Sequence, residues 1–230
     1  DVCSSDLSLG TGDTLVYGNG QFTFQRTDTA CLIGAPSLSA RLILEGPYLT
    51  ATGLMRDQLR SQPGFPLVEP YTALGFPQPQ GGGETVDPGL LTVTGPNAIV
   101  DWVRVEFRDA VAPTIVVGAA QVLLQSDGDL VTGTGNVDLV LPVPNGNYYV
   151  AFRHRNHLGA MTSAPVAFAS GPVSLDLTDP LVPTFGTNAR KSLGTVMGLW
   201  SGNVVSDVLL KYARMRHVER TMRPYLKATQ

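Results

Sequence analysis

Val100-Asp101-Trp102-Val103-Arg104-Val105-Glu106-Phe107 is the stretch that decides the fold class. A strand turns successive side chains to opposite faces, so Val103, Val105 and Phe107 share one face and Trp102, Arg104 and Glu106 the other. Outward from it the strand pattern repeats. Residues 114–124 are β-branched and apolar and run into the turn signal Ser126-Asp127-Gly128-Asp129. Residues 137–143 and 147–154 flank Pro144-Asn145-Gly146, and 165–169 and 173–177 flank Ser170-Gly171, so each pair reads as a hairpin. Upstream, residues 14–17 and 21–25 flank Gly18-Asn19-Gly20, a further hairpin signal, and the apolar run 41–44 is closed by Gly46-Pro47. In this body only residues 53–62 look helical, with Leu54, Met55 and Leu59 on one side and Pro63 at the end. Residues 78–84, with Gly81-Gly82-Gly83, read as a loose, flexible loop.

About seven strands without alternating helices predict an all-β chain. The expected architecture is an antiparallel immunoglobulin-like β-sandwich with a short helix in a loop; a closed barrel is the alternative. Leu42, Leu44, Val103, Val105, Val116, Leu123, Val150 and Phe152 are the expected core.

Composition agrees. Of 230 residues, 43% are hydrophobic and only 15% charged, too apolar for disorder and too sparsely charged for a coiled coil. The 25 Gly and 17 Pro suit many turns. No apolar run reaches the length of a membrane-spanning helix. A net charge of −3 argues against nucleic acid as the partner of the body.

The two ends differ from the middle. Asp1-Val2-Cys3-Ser4-Ser5-Asp6-Leu7 resembles one translated frame of a sequencing adapter, as met in metagenomic assemblies, which sets residues 1–7 outside the fold. Without Met or a leader, the chain reads as a fragment or a mature segment. If Cys3 is foreign, a Cys3–Cys31 disulfide is lost and cysteine says nothing of the redox compartment. Residues 214–230 carry five Lys/Arg against one Glu, while residues 1–213 carry a net −7. Val208, Tyr212, Met215, Met222 and Leu226 recur at helical spacings, so a C-terminal helical tail capped by Ser206 and disturbed by Pro224 is one reading. A frameshifted tail is the other.

Chemistry is sparse. Of three His, His154 and His157 stand close together at a strand end, and two His three apart can meet one metal if the backbone turns. No carboxylate or Cys lies near in sequence to complete a set. The plainer reading is that they tie the strand end to an adjacent loop. Asp127 and Asp129 offer two oxygens where calcium takes six to eight, so a β-turn explains them. Glu45, Glu69 and Glu84 are scattered through loops with nothing pairing them, which leaves a carboxylate-dyad hydrolase unsupported. No nucleophile-elbow, zinc-protease or phosphate-loop motif occurs. The expectation is therefore no enzyme, no catalytic residue, no cofactor and no metal.

Several longer stretches carry a resemblance: residues 39–44 with Gly46-Pro47-Tyr48, Gly53-Leu54-Met55-Arg56-Asp57, Glu69-Pro70-Tyr71-Thr72-Ala73-Leu74-Gly75, Val100-Asp101-Trp102-Val103 and residues 147–161. Over about residues 36–212 the chain resembles a module of large secreted bacterial surface proteins, described as haemagglutinin-like or adhesin-like. The resemblance implies an extracellular or cell-surface, multidomain setting and a sandwich-like fold; it carries over no catalytic residues. It also implies a following dockerin-like calcium repeat. Against that repeat, Asn203 matches the first ligand position, Asp207 the fifth and Lys211-Tyr212 the end. Val205 and Val208 replace an oxygen ligand and the turn glycine, and Ser206 is the one further side-chain oxygen. Calcium binding no tighter than roughly millimolar is expected.

The organisation expected is then 1–7 as the scar, 8–35 as a hairpin or the end of a preceding domain, and 36–180 as the sandwich module. Residues 181–213 follow as linker and degraded dockerin-like start, and 214–230 as the basic tail. The expected function is a non-catalytic extracellular module for adhesion or structural spacing. Its partner would be an unidentified glycan or protein, with no nucleic acid and no membrane insertion; an accessory domain of a secreted hydrolase is the alternative.

Overall fold

The computed structural model describes residues 36–169 and 171–202, and the backbone of 14–17 and 20–23. The readings of Cys3 and Cys31, of the loop from Asn203 to Tyr212 and of the C-terminal helix lie outside the described residues. A hairpin joins β1 (Thr14–Tyr17) and β2 (Gly20–Thr23), with Tyr17 opposite Gly20. The body follows as β3 (Pro36–Arg41), β4 (Tyr48–Leu49), β5 (Leu54–Met55), β6 (Ile99–Asp109) and β7 (Val116–Gln125). After these come β8 (Leu130–Val131), β9 (Leu139–Val140), β10 (Gly146–His154), β11 (His157–Met161) and β12 (Val166–Phe168). The last are β13 (Gly171–Asp176), β14 (Lys191–Ser192) and β15 (Met197–Gly198). Helix is limited to three short 3-10 turns among the described residues. The chain is all-β.

Six strands form the larger sheet in the order β11-β10-β6-β7-β8, with β12 sharing the β11 edge of β10. Where that edge breaks, Val150 N donates to Thr162 Oγ1 at 3.2 Å, and Thr162 N donates to Val150 O at 3.0 Å. A second sheet runs β13-β3-β9. Its β3–β13 pair is parallel, the one departure from the expected antiparallel pairing among the named strands. Leu38, Leu42 and Leu175 from the second sheet's side share one buried cluster with Val103, Val122 and Phe152 of the larger sheet. Of the expected core, seven residues are buried; Val116, at the start of β7, is half-buried.

Three local expectations are corrected. Residues 53–62 are not a helix. Met55 N donates to Ser126 O at 2.7 Å and Ser126 Oγ to Met55 O, so long-range bonds claim the backbone that a helix would need, and only Gln58–Ser61 winds into a 3-10 turn. Neither downstream hairpin forms as read. β9 pairs with β3, not β10, and is cut to two residues beside Pro142 and Pro144, which have no N–H to donate. β12 and β13 belong to different sheets. Turn residues mark where a chain reverses; they do not say which strand receives it.

The 78–84 segment is also not loose. Gly83 N donates to Glu69 Oε1 at 3.1 Å, Ala119 N donates to Pro79 O at 3.2 Å, and a Cβ on Gly81 would stand 2.3 Å from Ala119 O. The long segment 56–97 lies over the second face of β6 and β7, where Tyr71, Val86, Ile99, Trp102, Leu123 and Val131 form a separate core. Trp102 Nε1 donates to Pro66 O at 2.8 Å and Tyr71 Oη to Trp102 O at 2.9 Å, fastening that cover. The strand whose alternation was read first is thus buried on both of its faces, from Ile99 through Arg108. Downstream, Leu199 enters the main core, and its N–H donates to Ile43 O at 2.7 Å. Arg190 donates to the carbonyls of Leu177, Asp179 and Val182, holding residues 177–190 against the body.

Candidate functional site

Two buried polar clusters stand out, one on each face of β6. The first lies where the apolar core face ends. Alternation puts Asp101 of β6 and His154 of β10 on the same side as Val103 and Phe152. His154 Nε2 lies 3.0 Å from Asp101 Oδ2. Arg155 holds the same carboxylate through Nε at 3.1 Å and Nη2 at 2.8 Å, and Trp102 N donates to Oδ1 at 2.8 Å. Burial works against the Asp101 charge, but the hydrogen bond from His154, the Arg155 guanidinium and the Trp102 N–H outweigh it and hold the pKa low.

The hydrogen bonds assign one proton to each ring. Ionised Asp101 can only accept, so His154 Nε2 donates; Asn156 N donates to His154 Nδ1 at 3.1 Å, so that nitrogen accepts. His157 Nδ1, 2.9 Å from His154 Nδ1, must then donate, and its Nε2 accepts from Gly46 N at 3.3 Å. The turn does bring the two rings together, edge to face at 4.8 Å. Their facing Nδ1 atoms are engaged with each other, His154 Nδ1 also takes the Asn156 N–H, and His157 Nε2 links the strand end to the loop at Gly46. Among the described residues no group of three or more His, Cys, Asp or Glu is placed to hold a metal ion.

The second cluster lies under the 56–97 cover. Glu106, 2% exposed, receives Arg104 Nε at 2.9 Å, Arg108 Nε at 3.0 Å and Arg153 Nε at 2.9 Å. Burial raises the Glu106 pKa, but the charges of Arg153, Arg108 and Arg104 prevail and bring it to about 2. Arg104 Nη1 donates to Gln78 Oε1 at 2.6 Å and Gln121 Oε1 at 3.3 Å, and Nη2 to Pro77 O. Arg108 Nη1 donates to Pro113 O at 2.9 Å.

The other acidic residues singled out in the sequence are placed as follows. Asp129 pairs with Arg41 at 2.8 Å in the turn between β7 and β8, and Arg41 Nη2 also donates to Asp127 O at 2.8 Å. Burial and the neighbouring Asp127 charge raise the Asp129 pKa against the pull of Arg41. Glu45 pairs with Lys191 and accepts from Ser201 N at 2.8 Å; the Lys191 hydrogen bond is the main cause of its pKa near 2. Glu69 and Glu84 are not scattered, as a bridge between Val68 and Thr85 sets them side by side. Both carboxylates take N–H donors from the Gly82-Gly83 turn. For Glu69, burial pushes the pKa up but the bonds from Thr72, Gly83 and Tyr71 bring it lower.

Comparison with known protein families, curated proteins and solved structures finds no match. The site therefore rests on its own geometry. No helix among the described residues is long and apolar enough to cross a membrane. Sequence reading missed Asp101 as the partner of His154 and Arg155, because 53 residues separate it from His154. It missed the Glu106 cluster for a related reason. The available signal was the alternating charges Arg104, Glu106 and Arg108 of β6, with Arg153 on β10, in segments otherwise rich in apolar residues.

Proposed function

We propose that the chain is a non-catalytic module of a secreted or surface-exposed bacterial protein, serving adhesion or spacing, with its two main sheets arranged as an immunoglobulin-like sandwich. The observation that supports this reading is the engagement of the buried residues of its two polar clusters by internal partners. Asp101, Arg104, Glu106, Arg108, His154 and His157 are bound to internal partners that orient them, which suits residues that stiffen a scaffold more than residues that react. A stiff body with both faces of its central strands covered suits a load-bearing or ligand-presenting unit.

The test is a binding screen of the full chain against immobilised glycans and extracellular matrix proteins, run beside assays for hydrolysis of the same glycans. Saturable binding without turnover supports the proposal. Turnover that disappears in Asp101→Asn while the thermal transition persists would overturn it in favour of an enzyme.

A further inference from the structure

We propose that Arg153 is a binding point for an oxyanion, the carboxylate or sulfate of an acidic glycan. The glycan rests on the adhesion reading above; the oxyanion site itself does not. Three guanidiniums, those of Arg104, Arg108 and Arg153, make ion pairs with Glu106, and no other carboxylate among the described residues is in ion-pair reach of them. Arg104 and Arg108 spend their remaining donors on Pro77, Gln78, Gln121 and Pro113. Arg153 donates only through Nε, so its Nη1 and Nη2 have no acceptor among the described residues. Arg155 is the contrast, set on Asp101 through both Nε and Nη2.

The Arg153 fork is held and partly open. Its side chain is 23% exposed against 3% for Glu106, so the cluster reaches solvent through this residue more than through Arg104 or Arg108. The Nε bond to Glu106 fixes the plane of the guanidinium, which lowers the entropy lost when Nη1 and Nη2 take a ligand. Gly159 on β11 borders the Arg153 stem, and a Cβ there would stand 3.4 Å from Arg153 Cγ and 2.8 Å from Phe152 O. With no side chain at Gly159 that flank stays open. The excess positive charge beneath, in a poorly solvated setting, strengthens attraction for an anion at the fork.

Inorganic sulfate is the first probe, added to the full chain at constant ionic strength with chloride as reference, while arginine side-chain NMR signals are followed. Sulfate should shift the Arg153 signals saturably, and Arg153→Lys, which keeps the charge but not the fork, should weaken binding at least tenfold. Arg56→Gln, an exposed arginine outside the cluster, should leave it unchanged. Should Arg153→Lys fail to fold, the wild-type chain still decides, because sulfate should slow phenylglyoxal modification of Arg153 read by mass spectrometry. Equal sulfate affinity in wild type and Arg153→Lys, or modification of Arg153 indifferent to sulfate, overturns the proposal. Dextran sulfate and polygalacturonate then separate sulfate from carboxylate ligands. Sulfate binding at Arg153 without binding of either polymer keeps the oxyanion site and removes the acidic glycan as its ligand. Polymer binding that Arg153→Lys leaves intact keeps the adhesion reading and removes the site.

Discussion

At the scale of single residues, Glu106 carries the greatest consequence. Replacing it with Gln leaves three guanidiniums facing a neutral amide under the 56–97 cover. Removing one partner of a buried ion pair costs about 3–5 kcal/mol, so Glu106→Gln should lower urea-unfolding stability by that order. The pH dependence has a definite sign. The folded pKa near 2 lies below the ordinary glutamate value, so this stabilisation is complete above about pH 4.5 and is lost as pH falls towards 2. Acid titration of the wild type should therefore show a loss of stability in that window, reduced in Glu106→Gln. The histidines offer a sharper test. Nitrogen-detected NMR of the imidazoles should find the proton of His154 on Nε2 and that of His157 on Nδ1. A neutral His154 protonated at Nδ1 would contradict the network.

Elements here are shaped by what lies across them. The 78–84 segment holds its place because its backbone comes close to β7 at Gly81. Gly81→Ala forces a methyl to within 2.3 Å of Ala119 O, which the cover can relieve only by lifting away from β7. Overpacking of this kind typically costs about 1–3 kcal/mol. Hydrogen exchange should show the Ala119 amide, bonded to Pro79 O, losing protection first. Protection unchanged in Gly81→Ala would show the contact to be dispensable. Residues 54–55 illustrate the same dependence. Together with Leu59 they have helical spacing, but the bonds exchanged by Met55 with Ser126 decide their conformation.

For the whole molecule, the shared core predicts one unfolding event. The main cluster joins both sheets and includes Leu199. The cover packs on the opposite face of the same two central strands. Trp102 lies under the cover, and Trp200 follows the core residue Leu199, its Nε1 donating to Asn188 O at 2.9 Å. Single-tryptophan chains, Trp200→Phe reporting on Trp102 and Trp102→Phe on Trp200, should each give a urea transition in which fluorescence coincides with far-ultraviolet circular dichroism. An earlier fluorescence transition in the first chain would mean that the cover opens independently. Circular dichroism of the full chain should be dominated by strand.

How much was legible in the sequence follows from which interactions are local. Alternation within 100–107 depends only on strand geometry, so the all-β class, the split of Val103, Val105 and Phe107 from Trp102, Arg104 and Glu106, and most of the core could be read directly. Strand partners could not, because a hydrogen-bonded ladder is chosen among many distant candidates; thus β9 goes to β3 and β13 lies parallel to it. The site was hidden for the same reason. A charged residue in an alternating strand reads as facing water, and Arg104, Glu106 and Arg108 are instead buried, with Pro77 and Gln78 of the cover over Arg104. Burial there became tolerable only because tertiary folding brought Arg153, Gln78 and Gln121 within hydrogen-bonding distance, a compensation that no local pattern records.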